Sequence, residues 1–149
     1  MKTVPKWPVL AFLLAGCGGP DKYAENAATP DLQTISEVPG DWSQLRPMIG
    51  QTPDESGLLR ERSPISVDLN ALLGPDAGRF RTAMAGASPL LSDGTALVTI
   101  SPSRQAYLAI VPADHALHVG LRDQSGWRTY RTPGADSNLP PQVRTLLSR

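Results

Sequence analysis

The chain has 149 residues, with 14 Lys+Arg against 14 Asp+Glu, one cysteine, 15 prolines and 13 glycines. Balanced charge without a polybasic cluster excludes the electrostatic footprint of a nucleic-acid or lipid-headgroup binder, so no nucleic-acid partner is expected. A single thiol leaves no intrachain disulfide, and the proline and glycine content points to one small domain of short elements and many turns.

Lys2 and Lys6 precede an apolar run from Trp7 to Ala15, the order of an export signal. The run is far shorter than the ~20 residues that a bilayer-spanning helix needs. Leu14-Ala15-Gly16-Cys17 closes it and resembles the lipobox of bacterial lipoproteins. The resemblance implies cleavage between Gly16 and Cys17, a diacylglyceryl thioether on the Cys17 sulfur and further acylation, as by palmitate, of the freed amine. Each buried methylene contributes about 0.8 kcal/mol, and two chains already anchor stably. Gly18 follows the cysteine where an Asp often retains such proteins at the inner membrane, so the resemblance implies the outer membrane, facing the periplasm. Losing Lys2 and Lys6 with the leader leaves 12 basic residues against 14 acidic, formally −2. The organisation expected is a signal peptide over 1–16, a lipidated cysteine and flexible tether over 17–40, and one α+β domain over 41–149.

Gly18 to Gly40 has no sustained apolar period, and as a coil of roughly 20 residues it reaches about 25 Å. Leu32, Ile35 and Val38, spaced by three between Pro30 and Pro39, leave open a single helical turn packed on the domain. Asp41 to Ser63 reads as irregular chain anchored by Trp42, Leu45, Met48 and Ile49: a packed loop or a recognition loop. Ser63-Pro64 is an N-cap hydroxyl followed by proline, so a helix is predicted from there, carrying Val67, Leu69, Leu72 and Leu73 to Gly74 at its end. A second helix restarts at Pro75-Asp76, with Phe80, Ala83, Met84 and Ala87 on one face. From Asp93 the period becomes two. Thr95–Ile100, Ala106–Val111, Ala116–Leu121 and Trp127–Thr132 are predicted strands, joined by short turn-rich links that favour antiparallel neighbours. The fold class expected is therefore α+β: an antiparallel four-stranded meander packed by two or three short helices. Leu117, Val119 and Leu121 share the face the helices cover, and Ala116, His118 and Gly120 share a face left partly open. Pro140 to Leu147 makes a last short helix with Val143, Leu146 and Leu147 inward.

No residue constellation here carries catalysis, and neither a metal nor a cofactor is expected. His115 and His118 are three apart on loop and strand, so they point to opposite faces and do not share a metal. Neither Cys17 nor any carboxylate pair lies at ligand spacing near them. Nucleophile elbow, P-loop, His-Glu-x-x-His and dinucleotide fingerprint are all missing. Asp114-His115 could still orient a base in a rival, hydrolytic reading. Trp127-Arg128-Thr129-Tyr130-Arg131 is the most suggestive surface element, because aromatic and arginine side chains dominate binding hot spots. Trp127 and Tyr130 alternate in direction, so at least one belongs to a core.

The run from Arg79 to Tyr130 resembles the inhibitors of vertebrate lysozyme, periplasmic α+β proteins with an antiparallel sheet backed by helices. The pieces that carry the likeness are Phe80…Met84-Ala85-Gly86, Pro89-Leu90…Asp93-Gly94…Leu97, and the strand Ala106–Val111 with its following hairpin. Upstream, Ile49-Gly50…Ser56-Gly57-Leu58-Leu59 and Leu69…Ala71-Leu72-Leu73-Gly74 resemble bacterial lipoproteins of the same shape. That inhibitor family presents a cysteine-braced loop with Pro-His that plugs the lysozyme cleft. The equivalent hairpin here, Ser101-Pro102-Ser103-Arg104-Gln105, is short and has neither Cys nor His. The resemblance implies the fold and transfers no functional residue.

The reading is a membrane-anchored envelope lipoprotein whose domain binds an envelope protein partner, in lysozyme inhibition or envelope assembly. Its candidate partner-binding residues are Ser101, Pro102, Ser103, Arg104 and Gln105, with Trp127, Arg128 and Arg131. An envelope-acting hydrolase and a purely structural lipoprotein are the alternatives.

Overall fold

The structure, a computed structural model, describes residues 40–149. The Gly16–Cys17 cleavage pair, the lipidation site, the tether up to residue 39 and the Leu32-Ile35-Val38 turn lie outside the described residues.

The stretch read as irregular between Asp41 and Ser63 contains two short helical pieces. Trp42–Met48 is a 3-10 segment started by the Asp41 carboxylate, which accepts from Ser43 N, and it buries Trp42 and Leu45. The first α-helix, α1 (Pro53–Ser56), begins at a capping box in which Thr52 and Glu55 satisfy each other's backbone N–H. α1 is too short to show a period, whereas Trp42, Leu45 and Met48 fall three apart along the 3-10 segment, a spacing masked by Pro47 within it. α2 (Ser66–Leu73) starts two residues later than the Ser63-Pro64 signal predicts. Its N-cap is Ile65, without a side-chain bond. Ser63 instead closes a turn, its carbonyl accepting from Ser66 N at 3.1 Å and from Ser66 Oγ at 3.0 Å. A 3-10 turn over Gly74–Asp76 leads into α3 (Ala77–Ala83). Phe80, Met84 and Ala87 are buried and Ala83 partly so, as the spacing predicts, but the helix ends at Ala83 and the stripe continues through the turn after it.

The sheet has five strands, one more than expected: β1 (Leu91–Asp93), β2 (Ala96–Ile100), β3 (Ala106–Val111), β4 (Ala116–Asp123) and β5 (Gly126–Arg131), antiparallel in the order β1-β2-β3-β4-β5. The meander is as predicted. The strand missed is three residues long, too short for alternation to register. It pairs Leu91 with Val98 and Asp93 with Ala96 around a two-residue Gly94-Thr95 turn, and Asp93-Gly94 is the hairpin signal that marks it. The last helix, α4 (Pro141–Leu147), buries Val143 and Leu146, with Leu147 partly buried.

Register assigns every strand residue to a face. Leu97, Ala106, Leu108, Ile110, Leu117, Val119 and Leu121 point to the face covered by α2, α3 and the 3-10 segment, where they join Phe80, Leu69, Leu58, Trp42 and Leu45 in the main core. The other face is closed, contrary to the open surface expected. α4 lays Val143 and Leu146 onto Ala96, Val98, Tyr107 and Ala109 there, with Ile100, Val111, Trp127, Leu139 and Leu147 at its margin. Small residues at 96 and 109 let a helix approach the sheet closely. The Asp93 carboxylate accepts from Gln142 N at 3.1 Å and ties the start of α4 to β1.

Candidate partner-binding ridge

The β2–β3 hairpin ends in a loop, Ser101 to Gln105, held by its first residue. Ser101 is buried, and its Oγ accepts from Gln105 N at 3.0 Å and from Ala106 N at 2.9 Å. The Ser101 backbone donates to Ala106 O and accepts from Arg104 N, both at 2.9 Å. Arg104 takes a left-handed φ of +56°, uncommon for a residue with a Cβ and held here by those bonds. The loop is also joined to its neighbour, since Arg122 N on β4 donates to Gln105 O at 2.7 Å. A buried hydroxyl thus braces the loop where the resembled family uses cysteine. Pro102, Ser103, Arg104 and Gln105 are exposed at its crest.

Hollows flank the crest on both sides. One, of about 700 Å³, runs between the loop and α4 and is lined by Gly86, Ile100, Pro102, Arg104, Gln142 and Leu146, among others. The other, of similar volume, is lined by Arg79, Gln105, Arg122, Asp123, Gln124 and Ser125. Arg79, Arg104 and Arg122 make the ridge mainly cationic. Asp123 is the carboxylate of the second hollow, 4.0 Å from Arg79 and 3.6 Å from Arg128. Hydrogen bonds from Ser125, and then these arginines, hold its carboxyl below the usual carboxylate range.

The other three candidates are not brought together with the loop residues into one patch. Trp127 is half-buried, its ring 5.8 Å from that of Tyr107 and 6.0 Å from the Arg122 guanidinium. It belongs to the smaller core, as alternation with Tyr130 allows. Arg128 lies on the opposite face, 3.2 Å from Asp76. Asp76 also accepts from the Tyr130 hydroxyl, and that bond, with Arg128, holds the Asp76 carboxyl low. Arg131 returns to the Trp127 face, paired across the strands with His118. The network of Asp76, Tyr130 and Arg128 went unseen in the sequence because its members lie 52 and 54 positions apart.

The histidines also separate. His115 is exposed at the β3–β4 turn with φ +47°, its ring 4.9 Å from that of Trp42. Its backbone N–H bonds to Pro112 O, and its side chain is not capped by Asp114. His118, expected to face solvent, is 4 % exposed, because α4 and the segment following β5 cover that face. Among the described residues, no group of three or more His, Cys, Asp or Glu could hold a metal, and no helix is long and apolar enough to cross a membrane.

A small antiparallel sheet, packed by helices and presenting a braced cationic loop, is the form of a domain that acts by contact with another macromolecule. The family model for the inhibitor of vertebrate lysozyme (Ivy) matches residues 64–149. The match takes in α2, α3, the whole sheet, the ridge loop and α4, more than half of the chain, and the chain belongs to this family. Comparisons with curated proteins and with solved structures return no match.

Proposed function

We propose that this chain is a lipid-anchored envelope protein that binds and inhibits a lysozyme-type glycosidase through the ridge from Ser101 to Gln105. Membership of the Ivy family over residues 64–149 carries the reading, and the exposed crest on a fixed base supports it. Such glycosidases work with a pair of carboxylic side chains in a cleft. The Arg104 guanidinium is always charged, offers several N–H donors and stands at the crest, so it complements paired carboxylates. Pro102 limits the conformations lost on binding. Ser101 supplies the brace in place of a disulfide. In this reading Trp127 is a packing residue and Arg128 serves the Asp76 network, so the contact centres on Pro102, Ser103, Arg104 and Gln105. The lipobox supports cleavage before Cys17 and anchoring there, and Gly18 supports the periplasmic face of the outer membrane. The tether then holds the domain within tens of ångströms of the lipid.

The test is a titration of a vertebrate lysozyme with the chain from residue 17 onward carrying Cys17→Ser. Activity should fall in proportion to added protein. Arg104→Ala should weaken inhibition by about tenfold or more, the worth of a charge-assisted hydrogen bond. Ser101→Ala should weaken it by loosening the loop. No loss of lysozyme activity at molar excess would overturn the inhibitory reading, and full potency in Arg104→Ala would overturn the role of the ridge. For the anchor, the native chain should take up labelled palmitate and sediment with membranes, and Cys17→Ala should do neither.

A further inference from the structure

On the face covered by α4, register brings Tyr107, Gly120 and Thr129 into one row across the strands and Ala109, His118 and Arg131 into the next. Gly120 is required by packing. A Cβ there would stand 2.1 Å from Tyr107 Cε1 and 2.8 Å from its Cζ, so the tyrosine ring lies across the strand in the space a side chain would fill. Beyond the end of α4 these rows border a cavity of about 550 Å³, lined by Tyr107, His118, Thr129, Arg131 and Ser137, with Leu139 and Leu147 as its apolar wall.

The cavity's polar groups face its open space. Tyr107 and His118 are 1 % and 4 % exposed, and their polar atoms open onto the cavity; the fully enclosed unpaired side-chain atoms among the described residues are Ser63 Oγ and, on this face, Trp127 Nε1. Burial alone pushes the Tyr107 hydroxyl up to about 12. For His118, burial and then the Arg131 charge hold the imidazole below its ordinary value, with Asp136 opposing. Asp136 is itself engaged by Asn138, whose backbone N–H and side-chain amide donate to it at 3.2 and 2.9 Å. Among the described residues, no salt bridge neutralises Arg131.

We propose that this cavity binds a small oxyanion, a carboxylate or phosphate group on a compact molecule. Arg131 supplies a fixed positive charge and a planar fork of donors, the geometry that matches an oxyanion. His118 adds a ring N–H, and Tyr107, Thr129 and Ser137 add hydroxyls. The site lies on the opposite face from Asp76 and Arg128, at a distance from the ridge crest in sequence and surface, so it stands whether or not the ridge inhibits an enzyme.

The experiment follows the imidazole resonances of both histidines by NMR in the full chain, in detergent. Sodium acetate or inorganic phosphate is added at constant ionic strength against chloride. His118 should shift saturably with at least one probe while His115 stays fixed. The bound anion should also raise the pH at which His118 titrates. Arg131→Gln should weaken the response about tenfold and Arg131→Lys should restore part of it, the pattern of a charged-group contact. Tyr107→Phe, which keeps the packing over Gly120, should weaken it a few-fold. Saturation by acetate alone assigns a carboxylate, and by phosphate alone a phosphate. No saturable shift at His118, an equal shift at His115, or undiminished affinity in Arg131→Gln would overturn the proposal.

Discussion

The two faces of the sheet are covered by very different amounts of chain. The face carrying Leu97, Leu108, Ile110, Leu117, Val119 and Leu121 lies under nearly everything from Trp42 to Ala87. The opposite face is covered by one seven-residue helix, α4, laid on alanines, Val98 and Tyr107, and by the short segment that leads into it from β5. Branched side chains from both layers fill the first, which is hollowed only at its edge, by about 820 Å³ beside Trp42, Leu45 and Leu97. On the second, small residues admit the helix, but beyond its end the large side chains of Tyr107 and His118 border a cavity. One face therefore sustains the fold, and the other combines a thinner core with a buried, unpaired Trp127 Nε1. A face can be buried without being filled.

The comparison is broken most directly by truncation on each side. Phe80→Ala should cost about 3–5 kcal/mol in denaturant unfolding, the range for a buried aromatic whose neighbours cannot collapse into the space. Leu146→Ala on α4 should cost less, about 2–3 kcal/mol, because the short helix can settle onto the alanines beneath it. Equal losses would mean that the faces are energetically alike. Next in size is Gly120→Ala, which drives a methyl into the Tyr107 ring and should lower stability by about 1–3 kcal/mol as overpacking does. Adding Tyr107→Ala should then cost less than it does in the native background, a coupling visible in a double-mutant cycle of melting temperatures.

The smallest expected effect is in pH. His118 is held below its ordinary value of 6.5 when folded, so between that lowered value and 6.5 the unfolded chain binds more protons. Stability then falls as pH drops through 6.5 and levels off once the folded histidine is protonated too. Above that window the group contributes no slope. His118→Gln should flatten the stability profile just below pH 6.5 while leaving the acid limb below about pH 4, where Asp76 and Asp123 are protonated and lose the hydrogen bonds their carboxylates accept. An unchanged slope in His118→Gln would show that the covered face does not constrain its histidine.

Much of the fold was legible along the chain. Alternation from Ala96 onward identified four strands within a residue or two, because an apolar face runs the length of β2, β3 and β4. The spacing of Phe80, Met84 and Ala87 identified the inward stripe of α3. Short elements were not legible. β1 and the helical piece at Pro53 last less than two periods, the 3-10 segment carries a proline inside it, and the chain between them is fixed by partners far away: Gly50 N and Leu90 N bond to Leu90 O and Gln51 O, each at 2.8 Å. At the candidate ridge, the loop itself could be named from sequence. Its brace could not, since Ser101 is an ordinary serine until its hydroxyl meets two backbone N–H groups.

What the sequence by itself determined is local and periodic: the α+β class, the meander, the inward stripes of helix and strand, the loop at 101–105 and the signature around Cys17. These follow from side-chain alternation and turn chemistry, which act over a few residues. Only the tertiary structure decided that α4 closes the second face, that Arg128 joins Asp76 and Tyr130, and that Tyr107, His118 and Arg131 border one cavity. Those outcomes depend on strand register and on which segment returns to cover which face. Pairings over tens of residues leave no trace in local pattern, because the residues concerned meet only when the sheet has formed.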